Sequence, residues 1–227
     1  MSERDASLVE RRRRATAMDI AQAAAELFAA RGSRDTTAED IAQAAGVAPR
    51  TFYRYARTKE EAVAPLLDVG GQLWRNALAD NLSRLPVADA IEAAIAAVLA
   101  PGDPATVAGL TLARRVVAAA ADDPALRSVW YRVNCDSEFE LARVLRETGG
   151  LAVEPARLTA AAATHAVRIA FELWAAGGPS PDPDGEPALA QIAVRCFRGL
   201  GGGVEGRARP TADAGGEPGA APGRACR

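Results

Sequence analysis

Four acid–proline pairs, Asp103-Pro104, Asp123-Pro124, Glu154-Pro155 and Glu186-Pro187, each stand where a periodic apolar segment begins. Proline suits the first helical turn, whose N–H groups have no intrahelical partner, and a preceding Asp can accept from the donors left free. Gly149-Gly150, Gly177-Gly178 and Gly199 supply stops, because glycine enters the left-handed conformation that closes a helix at little cost. Between starts and stops the chain is alanine-rich with a 3.6-residue apolar repeat, and alternating runs of Val, Ile and Thr are absent. The chain therefore reads as all-α. The spacing predicts about nine helices, over residues 15–31, 38–45, 49–55, 58–83, 87–100, 104–121, 124–147, 155–176 and 187–199.

The 227 residues, 49% of them hydrophobic, suffice to bury a substantial core. Every apolar run is broken by a charge, Gly or Pro before about 18 residues, and the arginine-rich start leads into an amphipathic helix, not the apolar core of a signal peptide. A cytoplasmic protein with no membrane partner is expected. Cys135, Cys196 and Cys226 are scattered, and His165 is the sole histidine, so neither a disulfide framework nor a metal site nor any other cofactor is indicated. No P-loop, GxSxG or HExxH motif argues for an enzyme. Residues 201–227 hold eight Gly, three Pro and one large aliphatic residue, Val204, which is too little apolar surface to offset ordering entropy; a disordered tail is expected there.

Charge is informative through its layout. Residues 1–60 carry eleven Lys/Arg against nine Asp/Glu, and the acidic excess lies in the remainder. Arg11–Arg14 form one acid-free cluster, and Arg50, Arg54, Arg57 and Lys59 another. Such clusters are either solvated faces or phosphate contacts, and their setting decides between the two.

The setting of the second cluster is the segment from Thr36 to Tyr55, which has the layout of a helix-turn-helix. Thr37 is a good N-cap, with Asp40 three residues on in the first turn. Ala42 is small where a second helix must cross, Gly46 allows a left-handed reversal, and Val47 plugs the corner. A second helix starts at Pro49 and buries Phe52. Arg50, Thr51, Tyr53 and Tyr55 then point elsewhere on a short helix, and a DNA major groove accounts for exposed aromatics set among hydroxyls and cations.

From Ala17 to about Val63 the sequence resembles the N-terminal domain of the TetR family. Ile20, Ala24, Leu27 and Phe28 lie on the first helix, and Arg31-Gly32 ends it. Thr-Thr, Ile-Ala, Ala-Gly-Val, Thr-Phe-Tyr-Arg-Tyr and Thr-Lys-Glu then follow in order. The resemblance implies a three-helix helix-turn-helix head at residues 15–60, preceded by a basic arm at 1–14. It also implies a helical ligand-binding and dimerisation domain at 61–200. On this likeness Thr37, Tyr53, Tyr55 and Lys59 would hold phosphates, while Pro49, Arg50 and Thr51 would face bases. The implied function is a regulator, a repressor in this reading, that binds a palindromic operator as a homodimer and releases it on binding a small hydrophobic effector. An effector-independent helix-turn-helix protein for DNA packaging or assembly is the alternative. Two departures stand out: Ala56 replaces the large aromatic usual after Tyr55, and Pro65 falls inside the expected fourth helix, where a kink is expected.

The C-terminal part carries class more than chemistry. Arg114-Arg115, Asp123-Pro124-Ala125-Leu126-Arg127 and the acidic pair Glu138 and Glu140 resemble a TetR subgroup with acyl-CoA-like ligands. An apolar cavity is expected between helices 87–100, 104–121 and 124–147, with Arg114, Arg115 and Arg127 at its mouth. Further candidates for the pocket are Trp130, Asn134, His165, Arg168, Phe171 and Trp174. Each also has a structural reading, as core, interface or solvated helix face. Dimerisation is expected through helices 155–176 and 187–199, with Leu158, Ala161, Ala162, His165, Ile169 and Leu173 in the seam.

Overall fold

The computed structural model describes residues 3–100, 104–177 and 189–205. Among them there is no strand. Nine α-helices follow in order: α1 Glu3–Arg31, α2 Ala38–Ala44, α3 Pro49–Tyr55, α4 Ala64–Leu82, α5 Val87–Leu99, α6 Pro104–Ala120, α7 Pro124–Glu147, α8 Val153–Ala176 and α9 Leu189–Glu205. No single helix among the described residues is long and apolar enough to cross a membrane.

Three helices differ from expectation. The first begins at Glu3, so Arg11–Arg14 are exposed residues within a helix. No Gly or Pro interrupts residues 3–31, and an i,i+4 pair between Glu10 and Arg14 at 3.3 Å lies along that stretch. The fourth starts only at Ala64, after a 3-10 turn at Glu61–Val63, which corrects the kink expected at Pro65. Pro65 occupies the first turn, where its missing N–H falls among donors that have no helical partner anyway. The ninth runs through the stop expected at Gly199 to Glu205, and the Arg198 guanidinium in its later turns donates to both carboxylate oxygens of Glu92 on α5, at 2.8 and 2.6 Å. Residues 201–205, assigned from sequence to the disordered tail, are thus helical. The rest of that expected tail, 206–227, lies outside the described residues.

Two apolar clusters hold the fold. One gathers Trp74, Leu78, Ile91, Ile95, Leu141 and Leu145 with the buried alanines of α8 and Phe197 of α9. The other is built on Ile20, Ala24 and Phe28 of α1, Ile41 of α2 and Phe52 of α3. That second cluster continues into Val116 and Ala120 of α6 and into Leu126, Val129 and Val133 of α7. The first three helices therefore share their core with the α6–α7 corner. Gly71 lets α4 approach α7: a Cβ there would stand 3.1 Å from Ser137 Oγ and from Arg75 Nη1, closer than packed carbons comfortably sit.

Candidate nucleic-acid interface and interior cavity

Local sequence sets the interface. Thr37 caps α2: its hydroxyl accepts from the Asp40 N–H at 3.1 Å while the Asp40 carboxylate accepts from the Thr37 N–H at 2.9 Å, a reciprocal capping box. Hydrogen bonds from the backbone and the Thr37 hydroxyl, aided by Arg31, hold the Asp40 carboxyl below its ordinary pKa despite partial desolvation. Gly46 turns the chain with φ at +66°, and the Val47 N–H then donates to Ala42 at 2.9 Å, closing the corner. Pro49 opens α3 and Phe52 anchors it, fully buried. Pro49, Arg50, Tyr53 and Arg54 are left exposed, and Thr51 and Tyr55 are half-buried. Tyr53 stands edge-on to Phe52 with ring centroids 5.3 Å apart, and the Arg54 guanidinium covers Tyr55 at 5.4 Å. A short helix anchored by Phe52 thus leaves Arg50, two tyrosine side chains and Thr51 at least partly exposed.

Lys59 is placed differently from what its number in the basic cluster suggests. Its ammonium donates to the carbonyls of Ser33 at 2.6 Å and Thr36 at 2.9 Å, tying the start of the fourth-helix region to the turn between α1 and α2. The Glu60 carboxylate stands 3.9 Å from the same ammonium, so an outside anion would share its third N–H with that charge. The same turn is held from the other side, because the Ser33 hydroxyl donates to the Asp123 carboxylate. Asp123 also caps α7, accepting from the N–H groups of Ala125 and Leu126 at 2.9 and 3.1 Å. Burial pushes the Asp123 carboxyl up, but Ser33, the two backbone N–H groups and the Arg34 charge outweigh it, and the net displacement is downward. The pairing of Ser33 with Asp123 was not legible from spacing, because the two are ninety residues apart.

Behind the head lies a cavity of about 350 Å³. Its walls come from α4, α5, α6, α7 and α8, with Met18 of α1 closing one side. Val69 and Leu73 of α4 and Ala105 of α6 line it and are also solvent-exposed, which places the mouth between those helices. The wall is apolar except for Asp68, Thr106, Asn134, Ser137, Thr164 and the Trp74 and Trp130 indole edges. Of the residues anticipated from sequence, Trp130, Asn134 and Phe171 line it, with Trp130 and Phe171 edge-on at 6.0 Å.

The remaining candidates stand elsewhere. The Arg114 guanidinium lies over Trp174 at 4.6 Å, and Arg115 is exposed on α6. Arg127 donates to the carbonyls of Ala120 and Ala121, tying off the end of α6. Arg168 pairs with Glu172 at 2.8 Å, and Glu172 accepts from the Trp130 indole at 3.1 Å. His165 is exposed, with Nδ1 2.8 Å from the Ala161 carbonyl. The expected mouth of arginines is therefore absent from the cavity wall, because each of these side chains lies on the outer side of its helix or is engaged there. Sequence reasoning missed Trp74, Thr164 and Met18. An indole on α4 was the available signal. Among the described residues no three His, Cys, Asp or Glu side chains are grouped to hold a metal.

Among the described residues, a helix-turn-helix head thus shares its core with a helical body that contains a cavity. Residues 20–64 match the model of the bacterial regulatory proteins of the tetR family. That match runs from within α1 to the start of α4. MftR of Mycobacterium tuberculosis, named for transcriptional regulation of mycofactocin biosynthesis, is 43% identical over 93 residues, or 40% of this chain and 46% of that protein. The HTH-type transcriptional regulator TcmR of Streptomyces glaucescens is 45% identical over 60 residues, 26% of each chain. The chain thus spans less than half the length of either relative in these matches. The likeness in fold runs further. FadR of Thermus thermophilus, a TetR-family transcriptional repressor solved in complex with lauroyl-CoA, is similar with a TM-score of 0.51 and 25% identity, covering 88% of this chain and 100% of that one.

Proposed function

We infer that this chain is a cytoplasmic one-component transcriptional repressor that grips a palindromic operator as a two-fold homodimer and lets go when a small hydrophobic effector fills its cavity. The observation that carries this reading is the shared wall. Met18 of the head helix lines the cavity, and Leu67 and Val133 both line it and pack against the head core. A molecule entering there presses on the head directly, so binding and release are linked through contact.

In this reading residues 15–60 are the DNA-binding unit and 61–200 the effector and dimerisation unit. Arg50 reads a guanine, with Pro49 and Thr51 against neighbouring base edges. Thr37, Tyr53 and Tyr55 hold phosphates, and Lys59 adds a phosphate contact through its third N–H, in place of its ion pair with Glu60. The dimer face is the stripe on α8 in which Leu158, His165 and Leu173 are exposed and Ala161, Ala162 and Ile169 half-buried. On α9, where the sequence pattern offers Ile192, Val194, Cys196 and Phe197 as further apolar surface, Ile192 and Phe197 are already buried within the protomer. An acyl chain suits the cavity's apolar walls, as the lauroyl-CoA of the Thermus protein suggests, but Arg114, Arg115 and Arg127 do not hold its anionic head inside.

The test is selection of binding sites from random duplex DNA with the full chain, followed by titration of the selected operator with and without candidate effectors, lauroyl-CoA among them. The expected result is a palindrome with half-sites about 34–36 Å apart or slightly more, and a 5- to 150-fold loss of affinity on saturation with an effector. Recovery of no sequence preference overturns the regulator in favour of DNA packaging.

A further inference from the structure

Two buried polar atoms among the described residues find no hydrogen-bond partner, Trp74 Nε1 and Thr164 Oγ1, and both belong to side chains that line the cavity described above. Trp74 is 5% exposed and Thr164 3%. They approach the cavity from α4 and α8, helices far apart in sequence. Native interiors rarely leave such groups unsatisfied, and each one costs stability when it is. An indole N–H is a donor only, and a threonine hydroxyl donates or accepts. What both lack at once is an acceptor.

The charge of the wall narrows the occupant further. Asp68 is the sole ionisable residue lining the cavity, and no cation lines it. Arg75, the cation just behind the α4 wall, already divides its guanidinium between Ser137 at 2.9 Å and Asp68 at 3.5 Å. A carboxylate entering the cavity would lose its hydration and meet Asp68 with no free counter-charge. Three aromatic side chains, Trp74, Trp130 and Phe171, offer ring edges and faces to a flat apolar body.

Resting on the effector reading above and sharpening it, we propose that the cavity selects an uncharged apolar molecule carrying a hydrogen-bond acceptor of the carbonyl class, which takes the Trp74 indole N–H and the Thr164 hydroxyl as its donors. Both atoms are covered by neighbours in this conformation, so the ligand reaches them as the Thr164 hydroxyl turns and the indole tilts toward the cavity. The acceptor thereby ties the ligand to side chains of α4 and α8 in a wall to which Met18 of the head helix also belongs.

A matched trio of probes tests this on the full chain without DNA. Benzophenone carries the acceptor, diphenylmethane has nearly the same shape without it, and 4-benzoylbenzoate adds a negative charge. Calorimetric titration should find benzophenone bound roughly fivefold or more tighter than diphenylmethane, and 4-benzoylbenzoate weaker than benzophenone by about tenfold. Thr164→Val keeps the side-chain shape and should shrink the ratio of benzophenone to diphenylmethane affinity measured on the same variant; Trp74→Phe should shrink that ratio too, whatever it does to the affinity of both probes. Equal affinities for the first two probes, a preference that survives both substitutions, or tightest binding of the carboxylate overturns the proposal, as does failure of all three to bind. Acceptor-dependent binding that leaves operator affinity untouched would sustain this assignment and sink the effector role, so the two readings fail separately.

Discussion

The head and the body of this protein are made of similar helices but are specified in opposite ways. In the head, α2 and α3 are seven residues each, too short to persist alone. Their geometry comes from dense local chemistry: a capping box at Thr37, a left-handed glycine at Gly46 and a proline start at Pro49. In the body, α7 and α8 are 24 residues each and alanine-rich in part, with few local signals beyond Asp123 and Gly150. The body leaves a cavity among its helices, whereas Phe52 at the centre of the head is fully buried. Short helices bound by specific contacts make a rigid reading surface, and long helices packed through small residues leave room for a ligand.

The largest effect that can test this division is loss of the head's anchor. Phe52→Ala empties a fully buried site and should cost about 3–5 kcal/mol of stability. Because the head core runs into Val116, Ala120 and Leu126, calorimetry should show one broadened or lowered transition and not a separate early melting of the head. Two well-resolved transitions would show that head and body fold independently.

Next in size is the division of labour on the head itself. Arg50→Ala should weaken operator binding by about 1–3 kcal/mol and relax preference at one base pair per half-site. Lys59→Ala should weaken all sequences alike, shallow the salt dependence and also lower thermal stability, since two backbone carbonyls lose their donor. Titrations on operator variants in which Lys59→Ala changes base preference and Arg50→Ala does not would reverse these roles.

The joint between the regions is titratable. The Asp123 carboxyl has a folded-state pKa below its ordinary value of 3.8, so its charged form stabilises the fold at all pH above that value. The contribution disappears as pH falls through the lowered folded-state pKa. The melting temperature of the natural protein should exceed that of Asp123→Asn by a constant margin down to about pH 5, and the margin should close below about pH 4. A margin independent of pH would mean that the carboxylate charge contributes nothing to the joint.

The smallest expected change has the opposite sign. Thr164→Val removes an unsatisfied buried hydroxyl, so in the absence of any ligand it should raise the melting temperature by about 2–4 °C. A drop would show that the hydroxyl has a partner in the free protein.

Much of this was legible in the sequence. The all-α fold, the helix-turn-helix from Thr37 to Tyr55, the burial of Phe52 and the cap at Asp123 are all written within a few residues of where they act, because capping, proline and glycine effects are local. Pro65 was misjudged because the start of α4 depends on a 3-10 turn that the head's packing imposes, and the helical run through Gly199 was missed because Glu92 lies on another helix. Tertiary structure alone decided the rest. It took Lys59 away from the exposed basic cluster to hold the carbonyls of Ser33 and Thr36, and joined Ser33 to Asp123. It also kept Arg114, Arg115 and Arg127 out of the cavity wall and brought Trp74 and Thr164, from two distant helices, into it. Each of these depends on which faces of distant helices meet, and an alanine-rich repeat, whose faces are nearly alike, leaves that choice to the packing of the whole chain.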